Sequence, residues 1–182
     1  MGTLKTEPAR TRLDLLAPPV AAAIEGWPGE APVDVDDVLV APIDAELADT
    51  AAFCQAYEVG LDQSANCVVV AGKRGGETRY AACVVLATTR ADVNGVVRRM
   101  LDVRKASFAP MADAVELTGM EYGGITPIGL PEGWPILVDS RVIATPHAII
   151  GSGVRHSKIA LPGPALGALP GATVVEDLAR PV

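Results

Sequence analysis

Aromatic residues make up only 4% of this 182-residue chain, and cysteine occurs three times. With so few rings, the core has to be built from Val, Ala, Leu and Ile, which the 49% hydrophobic content supplies. Cys54, Cys67 and Cys83 form no CxxC pair and lie among apolar residues. We therefore expect reduced thiols and no disulfide framework. A chain of this length needs none, because it buries roughly 70% of its unfolded surface.

Long apolar runs are also missing. The longest, at residues 67–71 and 81–87, fall far short of the roughly 20 residues that span a bilayer. The charged start MGTLKTEPARTR is followed by no apolar stretch long enough for a signal peptide. We expect a cytoplasmic protein without a membrane partner. A net charge of −7 and a pI near 4.8 argue against a general nucleic-acid binder and predict no DNA partner.

The usual signatures of hydrolase, metal and nucleotide sites are absent. No serine stands in Gly-x-Ser-x-Gly, and the two histidines, His147 and His156, have no acid partner by pattern. No Cys, Asp or Glu cluster gives metal-ligand spacing around them, so we predict no metal site. The AGKRGG stretch lacks the residue order of a phosphate-binding loop and is typical of a hairpin turn. The sequence therefore predicts no cofactor.

Apolar periodicity and turn residues predict a mixture of short helices and strands. Helices are predicted at residues 19–25, 50–58, 111–118 and near 165–169, with a further amphipathic helix opening at Asp92. Strands are predicted at 33–40, 66–72, 79–88, 136–138, 148–150, 158–161 and 172–175, of which 66–72 and 79–88 form a hairpin. This order lacks regular βαβ alternation. It predicts a single α+β domain over residues 1–182, around a curved, mostly antiparallel sheet, with residues 1–30 as an N-terminal extension and helix.

The stretch at residues 119–140, GMEYGGITPIGLPEGWPILVDS, concentrates glycine and proline. Gly123 and Gly124 stand just ahead of Pro127, so the loop is rigid and offers bare backbone. Loops held on a stiff scaffold often form ligand sites. The alternative is a well-made turn that joins a helix to a strand.

Positive charge is concentrated in one place in this acidic chain. Arg98, Arg99, Arg104 and Lys105 directly precede the glycine and proline stretch in the sequence. Such a patch could draw a phosphate-bearing substrate toward the loop. The alternative is a solvated helix face paired with the nearby Asp102.

The order of four segments resembles a known family. RKASFAP, ELTGMEYGGITPIGLP, WPILVDS and AIIGSGVRHSKIALPG are similar, in that order, to the YbaK-type aminoacyl-tRNA editing domains. That family includes free-standing deacylases associated with prolyl-tRNA synthetase and the Cys-tRNA(Pro) type. The similarity covers residues 38–178. It implies a compact α+β core with a barrel-like mixed sheet flanked by short helices, and hydrolysis of the ester between a mischarged amino acid and the tRNA 3′ acceptor end. A synthetase is a further candidate partner.

The resemblance also implies the site residues. The Gly-x-x-x-Pro loop, here Gly123, Gly124, Ile125, Thr126 and Pro127, would line the aminoacyl pocket and place the 3′ adenosine. Its backbone N–H groups could polarise the ester carbonyl or hold the attacking water, and the substrate's own hydroxyl would help to activate that water.

Two further motifs match the family. Asp139 matches the family's aspartate, either as a substrate contact or as the cap of a strand end. Gly151, Ser152 and Gly153 match a glycine-rich turn near the pocket.

One position departs from the family pattern. A lysine is expected on an early strand, in a context like Val-Lys-Ser-Leu-Val, and the matching stretch here places Asn66 there. Lysine offers a point charge, whereas asparagine only hydrogen-bonds. Lys73, seven residues further on, lies too far along the chain to replace it. Two hypotheses follow: a trans-editing deacylase with Asn66, Gly123 and Asp139 at its centre, or a non-catalytic protein that binds an aminoacyl group, a tRNA end or a synthetase.

Overall fold

The computed structural model describes residues 1–182 and contains short helices and three small sheets. The strands are β1 (Glu7–Pro8), β2 (Leu39–Pro42), β3 (Ala65–Arg74), β4 (Glu77–Leu86), β5 (Thr89–Ala91), β6 (Ala106–Phe108), β7 (Ile136–Asp139), β8 (Ala148–Gly151), β9 (Ser157–Leu161), β10 (Ala172–Val175) and β11 (Ala179–Pro181). The helices are α1 (Pro18–Glu25), α2 (Thr50–Tyr57), α3 (Arg98–Met100), α4 (Met111–Thr118), α5 (Ser140–Ile143) and α6 (Gly163–Gly167). None of these helices combines the length and the apolar character needed to cross a membrane.

Two sheets carry most of the strands. The first has the order β1-β2-β9-β8 and is antiparallel throughout. The second has the order β10-β7-β4-β3-β6, in which β10, β7 and β4 are parallel and β3 pairs antiparallel on both sides. Strands β5 and β11 form a separate antiparallel pair. The α+β class and the mixed, mostly antiparallel pairing are therefore as predicted.

The barrel-like curvature implied by the family resemblance is not found, because the strands do not close or curl into a single sheet. A single parallel bridge, between Ser64 and Ile149, links the start of β3 to β8. The N–H of Ile149 also donates to the carbonyl oxygen of Gln63 at 2.8 Å. Elsewhere apolar side chains fill the space between the two larger sheets, so packing replaces hydrogen-bonded closure.

Most predicted elements lie where the local signals placed them. The hairpin of β3 and β4 pairs Ala65 with Leu86 through Arg74 with Glu77. Helix α4 has the predicted bounds and ends at Gly119 with φ 67°, a left-handed cap that glycine adopts without strain. The strand predicted at 33–40 is wrong in its first half, because Asp34 caps a 3₁₀ turn at Val35–Asp37.

Two helix ends also differ from prediction. Helix α2 ends at Tyr57, one residue before the predicted end, with a left-handed cap at Glu58. The helix predicted from Asp92 begins with a π turn, Val93–Val97, in which the N–H groups of Gly95 and Val96 donate to the Asp92 carboxylate.

Candidate functional site

A pocket of about 320 Å³ opens where the two larger sheets meet, beside the bridge between β3 and β8. Its walls come from the start of α2, the first half of β3, the end of β6, the loop after α4, and strands β8 and β9. The polar groups on this wall are Asp49, Thr50, Ser64, Asn66, Tyr122 and Lys158, and most of the remaining lining is aliphatic. A small, mainly apolar cavity with a few polar groups is typical of a small-molecule site.

Asn66 and Gly123 both line this pocket, although 57 positions separate them in the sequence. The Asn66 amide oxygen accepts a hydrogen bond of 2.9 Å from the Thr50 hydroxyl. Because Thr50 thereby fixes the oxygen, the amide N–H₂ of Asn66 is the group left to bind a ligand acceptor. The structure thus brings the early strand and the glycine loop to one cavity.

The glycine loop contributes two pocket-lining residues whose backbone N–H groups have no backbone acceptor. Gly123 has φ 86° and is exposed, and the N–H of Gly124 is used internally by the carbonyl oxygen of Glu121 at 2.9 Å. The N–H groups of Gly123 and Ile125, by contrast, donate to no other backbone group of the chain. Two free donors on a rigid loop can bind a carbonyl oxygen or an oxyanion.

Close backbone packing explains the other glycines of the motif. The N–H of Gly153 donates to the carbonyl oxygen of Gly124 at 2.7 Å, which ties the loop to the turn after β8. A Cβ on Gly124 would lie 2.7 Å from the carbonyl oxygen of Val154, and one on Gly151 would lie 2.5 Å from the carbonyl oxygen of Gly124. Gly124 is buried, whereas Gly151 reaches the pocket wall. The turn therefore sets the position of the loop.

Five predicted substrate contacts do not line this cavity: Gly124 and Gly153, described above, and Thr126, Pro127 and Ser152. Thr126 is fully buried, with its N–H near the sulfur of Met120 and its hydroxyl without a partner. Pro127 lines a separate apolar groove on the other side of the loop. Ser152 is buried, and its hydroxyl donates to the carbonyl oxygen of Ser157 at 3.1 Å. Thr126, Pro127 and Ser152 therefore pack on the side of the loop and the turn that faces away from the cavity.

Asp139 is buried and belongs to the structural frame. Its carboxylate accepts hydrogen bonds from the N–H groups of Arg141 and Ala179, each at 2.9 Å, and pairs with the Arg141 guanidinium at 3.2 Å. It therefore caps helix α5 and fixes the C-terminal strand β11. It is not among the residues that line the pocket of Asn66 and Gly123.

The predicted basic group is spread over two surfaces. Arg104 and Lys105 are exposed just before β6, the strand whose far end, Phe108, lines the pocket. Arg98 is half-buried and donates to the carbonyl oxygen of Arg104, while Arg99 borders a shallow cleft beside β11. The arginines that pair with Asp102 come from the hairpin, at positions 74 and 79. All four predicted cations are thus without an acidic partner.

Arg155 positions the loop from outside the pocket. Its guanidinium donates to the carbonyl oxygens of Tyr122 and Ala45 and lies 3.5 Å from the Asp49 carboxylate. Any side chain on Gly123 would strike this guanidinium. Arg155 therefore clamps the glycine loop to the segment that precedes α2.

Sequence reasoning missed Lys158, which the structure places in the pocket wall. Its ammonium donates to the carbonyl oxygen of Ala48 at 3.1 Å and lies 5.0 Å from the ring centre of Phe53. Burial lowers the pKa of this lysine. The signal available beforehand was a lone charge in the apolar strand KIAL, but only the pairing of β9 with β8 and β2 shows which cavity it reaches.

The fold and this cavity define an α+β domain with a small ligand pocket beside a glycine loop. The family follows from the sequence, because residues 44–168 match the model of the aminoacyl-tRNA editing domain. The chain belongs to this family, and the resemblance to its YbaK-type members is confirmed.

Solved structures share the fold at low sequence identity. A proposed trans-editing enzyme for prolyl tRNA synthetase gives a TM-score of 0.70 at 22% identity, over 88% of this chain and 97% of that one. The hypothetical protein APE2540 gives a TM-score of 0.72 at 18% identity, over 87% and 99% of the two chains. No curated protein matches the sequence. At these identities the likeness establishes the fold, and the family rests on the sequence match.

Proposed function

We propose that this protein is a trans-editing hydrolase that removes a wrongly attached amino acid from a tRNA. The observation that carries the proposal is the pocket in which Asn66 faces a glycine loop with two unpaired N–H groups, at Gly123 and Ile125. Ester hydrolysis needs donors for the oxygen on which negative charge develops, and backbone N–H groups on a rigid loop serve this purpose. Membership of the editing-domain family supplies the substrate class.

The reaction adds water across the aminoacyl ester. The water oxygen attacks the carbonyl carbon, and the carbonyl oxygen of the tetrahedral intermediate accepts hydrogen bonds from the N–H groups of Gly123 and Ile125. The bond to the ribose 3′ oxygen then breaks, and a proton from the water reaches that oxygen through the neighbouring ribose hydroxyl. The products are a free amino acid and an uncharged tRNA. Asn66 holds the substrate through its free amide N–H₂.

The size of the cavity suits an aminoacyl group. Its volume of about 320 Å³ lies at the lower end of small-molecule sites, roughly 300–1,000 Å³. The aliphatic lining from β3, with Ile125 and Ile149, favours an uncharged amino-acid side chain. The tRNA body would remain outside the cavity. Arg104 and Lys105, which are exposed and unpaired just before β6, would be its nearest cationic contacts along the chain. A net charge of −7 predicts weak binding of free tRNA or binding assisted by a synthetase.

A second candidate function is binding without hydrolysis. The observation that favours it is the neutral Asn66 at the position where the family resemblance expects a lysine. Such a protein would hold an aminoacyl group, a tRNA end or a synthetase and leave the ester intact.

A deacylation assay over a panel of mischarged tRNAs decides between the two. For at least one amino acid, we expect the ester to be hydrolysed faster with the protein than in buffer. Gly123→Val should abolish this acceleration, because the added side chain would collide with the Arg155 guanidinium and displace the loop. Gly29→Ala is the control, since Gly29 has no neighbour within 4 Å of an added Cβ. The hydrolase proposal would be overturned by ester half-lives equal to those in buffer for every tRNA.

A further inference from the structure

Lys158 has an ammonium group with unused hydrogen-bonding capacity at the pocket. An ammonium carries three N–H donors, and the structure gives this one a single acceptor, the carbonyl oxygen of Ala48. The ring of the buried Phe53 lies under it at 5.0 Å and holds the charge in place from one side. The remaining donors are available to a molecule in the cavity.

No carboxylate neutralises this charge. The closest candidate is Asp49, on the same pocket wall, and its carboxylate lies 3.5 Å from the guanidinium of Arg155. Lys158 itself forms no ion pair within 4.0 Å, which is unusual for a half-buried lysine. Arg155, which lies outside the pocket lining, is a second cation near Lys158, and Asp49 interacts with both. Asp49 and Lys158 are the charged residues of the pocket lining, and because the Asp49 carboxylate pairs with Arg155, the Lys158 ammonium is left without an ion-pair partner.

One short segment holds both Lys158 and Asn66. Ala48 accepts from the Lys158 ammonium, and Thr50, two residues later, donates to the Asn66 amide. Two residues of chain span at most about 7 Å. The ammonium and the amide are therefore both anchored to one short segment of the pocket wall, and they come from different strands, β9 and β3.

We propose that Lys158 supplies the positive charge that contacts the ester end of the bound substrate, the role for which the family resemblance expects a lysine at position 66. This inference rests on the proposed deacylase function and assigns a new residue to its site. In the addition of water described above, the Lys158 ammonium stays protonated and stabilises the negative carbonyl oxygen together with the loop N–H groups. The ammonium neither gives up nor accepts a proton in the cycle.

The electrostatic surroundings agree with this geometry. Burial lowers the pKa of Lys158 and the neighbouring Arg155 adds to this, while Cys54 and, to a smaller extent, Asp49 oppose the shift. A cation that is poorly solvated gains most from an anion that forms during the reaction, because the field between them is weakly screened.

The first test compares deacylation by Lys158→Met, Lys158→Gln and Lys73→Met with the unmodified chain. Methionine keeps the length of the lysine, and glutamine keeps a donor for Ala48 without the charge. Both should slow the reaction by roughly 10²- to 10³-fold. Lys73 is exposed and lies four residues beyond Val69, the last residue of β3 at the pocket, so Lys73→Met should retain the full rate. Rates within threefold of the unmodified chain in both Lys158 variants would overturn the inference.

The second test moves the charge. Asn66→Lys in the Lys158→Met background returns a lysine to the same cavity from β3, and we expect at least a tenfold gain over Lys158→Met. If Lys158 served only in packing, Asn66→Lys should give no gain in rate. The packing contacts of Lys158 are with Ala48 and Phe53, and a lysine at position 66 would not restore them. A double variant no faster than Lys158→Met would therefore overturn the assignment.

Binding measurements separate this inference from the proposed function. The probes are alanyl-adenosine with a 3′ amide in place of the ester, and its phosphonate analogue, which mimics the anionic intermediate. Lys158→Met should weaken binding of the phosphonate at least tenfold and that of the amide less than threefold. If the unmodified chain hydrolyses no tRNA but shows this pattern, the hydrolase proposal fails and Lys158 remains the anion contact. Equal binding of the phosphonate by both chains would overturn the role of Lys158, whatever the hydrolysis assay shows.

Discussion

The Thr50 hydroxyl donates a hydrogen bond of 2.9 Å to the side-chain oxygen of Asn66, and this contact joins the start of α2 to strand β3. Without it the amide of Asn66 could turn, and its N–H₂ would no longer be held toward the cavity. The contact therefore determines which face of Asn66 a ligand meets.

Thr50→Val tests this contact because it removes the hydroxyl and nearly preserves the shape. We expect deacylation to slow by about three- to tenfold, the equivalent of one hydrogen bond. In the Asn66→Ala background the same substitution should change nothing, since its partner is gone. An equal loss in both backgrounds, measured in a double-mutant cycle, would show that Thr50 acts independently of Asn66.

Gly124→Ala should destabilise the protein and impair the site together. The new Cβ would meet the carbonyl oxygen, the carbonyl carbon and the nitrogen of Val154 at 2.7–2.9 Å, and backbone atoms cannot swing aside. We expect a loss of roughly 1–3 kcal/mol in the free energy of unfolding, with slower deacylation because the loop shifts. Urea denaturation measures the first effect. Gly29→Ala is the matched control and should leave both quantities unchanged.

Asp139→Asn should lower the free energy of unfolding and leave the deacylation rate of the folded protein unchanged. The buried carboxylate accepts from two backbone N–H groups and from Arg141, and an amide cannot satisfy all three donors. Because the Arg141 side chain is 39% exposed, we expect the free energy of unfolding to fall by about 2–3 kcal/mol, less than the roughly 3–5 kcal/mol typical of broken buried pairs.

The rate constant of the folded Asp139→Asn protein should stay within twofold of the unmodified value. A drop of tenfold or more in folded protein would instead make Asp139 a substrate contact. Asp177→Asn is the control, because Asp177 is 89% exposed and also pairs with Arg141. It should change stability little.

The buried ammonium of Lys158 predicts a pH dependence of stability. Its folded-state pKa lies below the ordinary value of 10.5, so the unfolded chain binds more protons between these two pKa values. The free energy of unfolding then rises with pH across that window. Compared with Lys158→Met, the unmodified protein should gain stability as the pH rises from neutral toward 10.5.

Urea midpoints of the two proteins at several pH values measure this difference. Lys73→Met should track the unmodified chain at every pH, since Lys73 is exposed. A difference that stays constant with pH would mean that the Lys158 pKa is the same in the folded and unfolded chains.

Arg104 and Lys105 should contribute to the binding of whole tRNA but not to the binding of an analogue of its 3′ end. Replacing both with glutamine removes up to two phosphate contacts, so the dependence of log Kd on log salt should become shallower by about 1.5–2. Binding of the alanyl-adenosine amide should be unchanged, because neither residue lines the pocket. Lys5→Gln, at another exposed lysine, serves as the charge control. An unchanged salt dependence would place the tRNA body on another surface.

Much of the local structure could be read from the sequence because its causes are local. Two β-rich stretches around the turn with Gly75 and Gly76 predict the hairpin of β3 and β4, and Gly119 marks the end of α4. The order of motifs also placed the chain in its family. The prediction of a strand at 33–40 was wrong in its first half, because an alternation of Val and Asp fits a strand and a capped 3₁₀ turn equally well.

The sequence by itself determined the α+β class, the hairpin, the rigid glycine loop and the family, since each depends on propensities and on motif order. Tertiary structure decided what these parts do together. Asn66 and Gly123 line one cavity only because the chain folds back on itself, and Lys158 on β9 lines the same cavity. Asp139 and Ser152 are buried and do not line it. The physical reason is that burial, close backbone packing and unpaired charge depend on which strands become neighbours, and this neighbourhood forms only when the sheets pack.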